Sequence, residues 1–134
     1  MSQINSWNVP YSVISFFEKA LGGHDKVLGV TRTRDILFHL ELLNGETMNV
    51  LLVNEYTLGL AAVLRAREEF PTANHIVTGA SWNAYTMEAK EHGWSSHVGI
   101  FNLSEFLGAL NWPQPIKYHR KDREGNPIYA HRIA

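Results

Sequence analysis

Residues 35–54 read DILFHLELL-NG-ETMNVLLVN, two apolar runs that meet at Asn44-Gly45. Asn-Gly supplies the positive φ angles of a type I′ turn, so this stretch is predicted to be a two-residue β-hairpin. With that loop Leu43 faces Glu46, Glu41 faces Met48, His39 faces Val50 and Asp35 faces Asn54. Strand side chains alternate with a period of two. One face then carries Ile36, Phe38, Leu40, Leu42, Leu51 and Val53 as core, with Phe38 and Leu51 as cross-strand neighbours. The other carries Asp35, Leu37, His39, Glu41, Val50, Leu52 and Asn54, a mixed set.

Working outward, TLGLAAVLRAREEF, HIVTGA, NAYTMEAKEHG and SHVGIF read as helix, strand, helix and strand. Strands joined by crossovers of this length are parallel as a rule, so the hairpin feeds a parallel βαβαβ run. Thr57 is placed to cap the first of these helices, which must stop before Pro71, and Asn83 to cap the second, ending at Gly93. Asn102 with Glu105 three residues on resembles a capping box for a last helix, LSEFLGAL. Upstream, PYSVISFFEKAL has apolar residues at helical spacing and is closed by Gly22-Gly23; Val27 to Val30 fit a short edge strand. The expectation is a single α/β domain with a mixed β-sheet over residues 1–115. A basic C-terminal hairpin or tail follows over 116–134, with Glu124 to Pro127 near its tip.

Composition sets the limits. At 134 residues the chain is long enough for one domain with a real core. Apolar content of 45% against 19% charged residues fits a globular protein and argues against disorder. The formal net charge of −1 is unevenly placed. Residues 1–115 hold seven Lys/Arg and eleven Asp/Glu, whereas residues 116–134 hold five Lys/Arg against two acids. The absence of cysteine excludes disulfides, thiolate nucleophiles and cysteine-based zinc sites. MSQINSWNVPYS lacks a basic region ahead of an apolar run, and no apolar run approaches the roughly 20 residues of a membrane span. A cytoplasmic location with no membrane partner is the default expectation.

The order of elements, and the texture of VLLVNEY, HIVTGA, NAYTMEAKEHG and HVGIF, resembles the restriction-endonuclease-like PD-(D/E)xK superfamily, most closely the Mrr-type nuclease domain. The likeness covers about residues 34 to 110. It implies a divalent-metal site with an Asp on the first hairpin strand, a Glu or Gln on the second and a Lys two residues later. Asp35 falls at the first position, Asn54 at the second and Tyr56 at the third, with Glu55 between them. Asn ligates only through a neutral carbonyl and Tyr cannot replace an ammonium, so the resemblance implies a degenerate site. No metal or other cofactor is expected; Mg²⁺ or Mn²⁺ enters only if a rearranged site using Asp35 with Glu55 or Glu41 cleaves nucleic acid.

Two further sets are candidates for binding. Lys117, Tyr118, His119, Arg120, Lys121, Arg123 and Arg132 mix cations with aromatic rings, which suits phosphate contacts and base stacking. A solvated terminal hairpin is the ordinary alternative. Thr78, Gly79, Ser81 and Asn83 lie at the carboxyl end of a parallel strand, where open α/β sheets bind small ligands or anions. Ordinary helix caps would use the same residue types. No dinucleotide fingerprint, Walker sequence, zinc-ligand spacing or nucleophile elbow is present. The leading expectation is a nucleic-acid-associated module, DNA-binding or accessory, without nuclease activity. The rivals are an active nuclease, a small-ligand domain using the strand ends, and an oligomeric or protein-binding module using exposed Trp82, Trp94 and Trp112.

Overall fold

The computed structural model of the chain describes residues 7–79 and 82–128. Helix α1 (Tyr11–Gly22) starts after Pro10, whose carbonyl accepts from Val13 and Ile14, and buries Ile14, Phe17 and Leu21. Strands β1 (Val27–Arg34), β2 (Leu37–Leu42) and β3 (Thr47–Val53) form an antiparallel meander. A short strand β4 (Thr57–Leu58) leads to α2 (Leu60–Glu69) and then to β5 (His75–Thr78). Another short strand, β6 (Ala84–Tyr85), precedes α3 (Met87–Ser96), β7 (Gly99–Asn102) and α4 (Leu103–Ala109). The main sheet has the order β1-β2-β3-β5-β7, with β3, β5 and β7 parallel; β4 pairs with β6 beside it. The expected single α/β domain with a mixed sheet is what the chain forms.

The hairpin register differs by one residue from the expected one. Phe38 faces Val50, His39 faces Asn49 and Glu41 faces Thr47. The loop has three residues, Leu43, Asn44 and Gly45, closed by the Gly45 amide on the Leu42 carbonyl at 3.0 Å and the Leu42 amide on the Glu46 carbonyl at 2.9 Å. Only Gly45 takes positive φ there, at 90°. This is the three-residue loop with a left-handed glycine, not the type I′ turn, which would need positive φ at Asn44 as well. Because strand alternation has a period of two, the slip exchanges the faces of β3. Val50 and Leu52 join Ile36, Phe38 and Leu40, whereas Leu51 sits opposite Leu37. The Phe38–Leu51 and His39–Val50 pairings are therefore wrong.

Three other local expectations also change. The edge strand runs to Arg34, beyond Val30, and the turn to β2 places Asp35 in the left-handed region at φ 53°, off the strand. Thr57 lies in β4, and Gly59 occupies the start of α2. Asn83 does not cap α3; Thr86 does, accepting from the Ala89 amide at 3.2 Å. The Asn102 cap on α4 is formed as expected, accepting from the Glu105 amide at 2.8 Å.

Apolar side chains cover both faces of the sheet. On one, Phe17 of α1 meets Phe38 edge-on at 5.1 Å between ring centres and lies 6.4 Å from Phe106 of α4. On the other, Gly93 of α3 sits so close to Ile100 and the Val98 carbonyl that a Cβ would fall 2.4 Å from that oxygen. His75 is enclosed on the first face between Phe101 and Phe106, with Nδ1 3.0 Å from Asn74 Oδ1. Burial, reinforced by the nearby Lys90 charge, lowers its pKa to about 4. Between pH 6.5 and about 4 the unfolded chain takes up a proton that the native imidazole refuses. The stability this group contributes is full above pH 6.5 and is lost as the pH falls, by up to about 3 kcal/mol. Urea melts at pH 7 and pH 4.5 should show the loss, and His75→Leu should remove it; identical pH dependence in both proteins would contradict it.

Candidate functional site

Val53, Thr78 and Asn102 lie level across the three parallel strands, so the residues that follow them share one end of the sheet. Side-chain amides and hydroxyls stitch that end together. The Thr78 hydroxyl donates to the Glu55 carbonyl at 2.6 Å and accepts from the Glu55 amide at 2.9 Å. Asn83, buried, donates through Nδ2 to Asn54 Oδ1 at 3.0 Å, to Thr78 Oγ1 at 3.3 Å and to the Gly79 carbonyl. Its own carbonyl accepts from Asn102 Nδ2 at 3.0 Å. Asn83, expected as a helix cap, instead joins the ends of β3, β5 and β7.

Around this network lies a cleft of about 530 Å³ whose walls include Phe16, Asn54, Tyr56, Gly79, Trp82 and Asn83. Phe16, Tyr56 and Trp82 are 61%, 72% and 75% exposed, large rings left in water at one place. Gly79 is required by packing: a Cβ there would lie 2.6 Å from Val13 Cγ1 of α1. Two residue sets that the sequence kept apart, Asn54 with Tyr56 and Gly79 with Asn83, thus meet in one cleft. Glu55 is half-buried beside it, its backbone held by Thr78. Ser81 lies outside the described residues.

Asp35 does not join Asn54. It is exposed in its turn, with the Arg32 side chain 3.9 Å from Oδ1 and donating to its carbonyl. The hairpin shift accounts for this, since the partner of Ile36 is Leu52 and the ladder ends before Asp35. Among the described residues no group of three or more His, Asp or Glu side chains is placed to hold a metal ion.

The basic segment is docked in part. A single 3₁₀ turn, Pro115–Lys117, precedes Tyr118, which stacks on Trp112 with ring centres 6.1 Å apart. His119 is buried between Tyr85 and Trp94, its Nε2 2.9 Å from the Ile128 carbonyl, and burial lowers its pKa. His119 therefore cannot present itself to a nucleic acid as expected, and Tyr118 is half-buried. Lys117, Arg120, Lys121 and Arg123 are exposed. Beyond them, a single bridge joins Lys121 to Pro127, and the Asp122 carboxylate accepts from the Glu124 and Asn126 amides, so the chain turns back over Asp122 to Asn126. Arg132 lies outside the described residues.

What anchors this segment was not visible in the sequence. The Arg120 backbone amide donates to Glu105 Oε2 at 2.7 Å, and the Tyr85 hydroxyl donates to Glu105 Oε1 at 2.6 Å. Lys90, fully buried, lies 3.5 Å from the same carboxylate and donates to the Ile100 carbonyl at 2.5 Å. Its ammonium rests over the Phe101 and Tyr85 rings at 4.1 and 4.9 Å. Burial lowers the Lys90 pKa to about 8, against the pull of Glu105. The ammonium has no route to solvent, so this cluster supports structure and is not placed to bind a ligand. Of the three tryptophans expected to be exposed, Trp82 and Trp112 are, while Trp94 is half-buried beside His119.

No helix among the described residues is long and apolar enough to cross a membrane. No protein-family model, curated protein or solved structure matches the chain.

Proposed function

We propose that this chain is a nucleic-acid-associated binding module on a restriction-endonuclease-like frame, with an aromatic cleft where a nuclease would gather its metal ligands. The observation that carries this reading is the makeup of the strand ends. Asn54 is engaged by Asn83, and the exposed rings of Phe16, Tyr56 and Trp82 surround the pair. Exposed rings stack unpaired bases with little regard to sequence, and amides hydrogen-bond to base edges. Arg120, Lys121 and Arg123 supply the phosphate contacts. Their segment is tied through the Arg120 amide to Glu105, two residues from Leu103, which lines the cleft. The frame is supported by the order of elements, an initial helix and an antiparallel meander feeding parallel strands.

Fluorescence anisotropy with labelled oligonucleotides tests the reading. Single strands should bind more tightly than duplex, because stacking needs splayed bases. Affinity should fall steeply with salt, and changing Arg120, Lys121 and Arg123 to Ala should flatten that slope by roughly 0.7 unit per lost single-strand contact. Absence of binding at low salt would overturn the proposal. The same samples should show no cleavage with Mg²⁺ or Mn²⁺, since Asp35 is turned to Arg32 and Asn54 carries no charge. Metal-dependent cleavage lost in Asp35→Ala would contradict that expectation.

A second reading rests on one fact: no charged side chain is among the described residues lining the cleft. A small, neutral, planar ligand would suit such walls. Oligonucleotide affinity that ignores salt and survives the triple substitution would favour it.

A further inference from the structure

A second cleft, of about 820 Å³, lies between α3 and the C-terminal segment. Its volume is that of a small-molecule site. We propose that it binds an anionic aromatic small molecule, a planar ring carrying a carboxylate or phosphate. This inference does not rest on the nucleic-acid reading of the strand-end cleft.

Two observations give the ligand its chemistry. The first is the walls: Trp94, Trp112 and Tyr118 line the cleft, and Trp112 remains 59% exposed although it stacks on Tyr118. Such rings offer flat apolar surface to another ring. The second is charge. Lys117 and Lys121 line the cleft, both exposed and neither in an ion pair among the described residues, and no Asp or Glu is among the described lining residues. The apolar walls alone would suit many occupants; the two lysines select a negative one.

Carboxylates and phosphates share this chemistry, and the probes separate them. Isothermal titration of the intact chain at low salt would compare adenosine 5′-monophosphate, indole-3-acetate and neutral indole. At least one anionic probe should bind, with neutral indole about tenfold weaker or more, as loss of one charge-assisted hydrogen bond implies. Tighter binding of the monophosphate assigns the site to nucleotides, and of the indole acid to aromatic carboxylates. Lys117→Ala should weaken the anion by about tenfold. Lys117 is exposed, so that variant reports on binding and not on folding. The proposal is overturned if neither anion binds in the millimolar range, if indole binds as well as its acid, or if Lys117→Ala binds as the wild type does.

Discussion

Glu105→Ala should lower the unfolding free energy by about 3–5 kcal/mol, the range for breaking a buried ion pair from one side. Glu105 accepts from the Tyr85 hydroxyl and the Arg120 amide and lies 3.5 Å from the buried Lys90 ammonium. Its removal leaves that ammonium with the Ile100 carbonyl and three aromatic faces, and no counter-charge in contact with it among the described residues. Lys90→Met should cost less. Glu105 would keep two donors, and the thioether chain fits the apolar cage of Tyr85, Trp94 and Phe101. Urea melts at pH 7 rank the two, and a larger loss for Lys90→Met would contradict the assignment of Glu105 as the centre of the cluster. Glu105→Ala should also loosen the basic segment, so protease nicking near Arg120 to Arg123 should rise before global unfolding.

Phe38→Ala should cost about 3–5 kcal/mol through lost burial and the cavity left between α1 and the sheet. Phe38 is fully buried, edge-on to Phe17 and opposite Val50. His39→Ala removes one half-buried hydrogen bond, Nδ1 to Asn49 Oδ1 at 2.9 Å, and should cost about 1 kcal/mol. A double-mutant cycle reads the register directly. Phe38 should couple to Val50 by more than about 0.5 kcal/mol and to Leu51, on the opposite face, by less. Stronger coupling to Leu51 would restore the two-residue turn and undo the arrangement of the strand ends.

That register shows where the sequence was legible and where it was not. Asn44-Gly45 announced a hairpin, and the glycine does take positive φ. The dipeptide is equally compatible with a three-residue loop, and only the burial pattern could choose between them. Val50, Leu51, Leu52 and Val53 are all buried because β3 is covered on both faces. An unbroken apolar run carries no phase, so a one-residue slip left no trace in the pattern. The parallel strands His75–Thr78 and Gly99–Asn102 were legible from length and composition alone.

Thr57 and Asn83 depart from the expected caps for a related reason. Each has the chemistry of a cap, yet β4 and β6 extend the chain by a few residues before each helix begins. Asn83 was thereby freed to tie three strand ends together. The candidate cleft was half legible: Asn54, Tyr56, Gly79 and Asn83 were named, while Phe16 comes from α1 and is brought there by tertiary packing. Lys90 gave no signal, since MEAKEHG reads as a solvated helix face. Its cage is assembled from Tyr85, Trp94 and Phe101, and its carboxylate partner from Glu105 on another helix.

On the proposed reading, the aromatic and amide cleft at the strand ends takes unpaired bases. An NMR titration of the ¹⁵N-labelled chain with a short single-stranded oligonucleotide reads that contact residue by residue. Shifts should concentrate on the Trp82 indole N–H, the Asn54 and Asn83 side-chain amides, the Tyr56 backbone and the Arg120 to Arg123 amides. Shifts that leave Trp82, Asn54 and Asn83 unmoved at saturating oligonucleotide would contradict it.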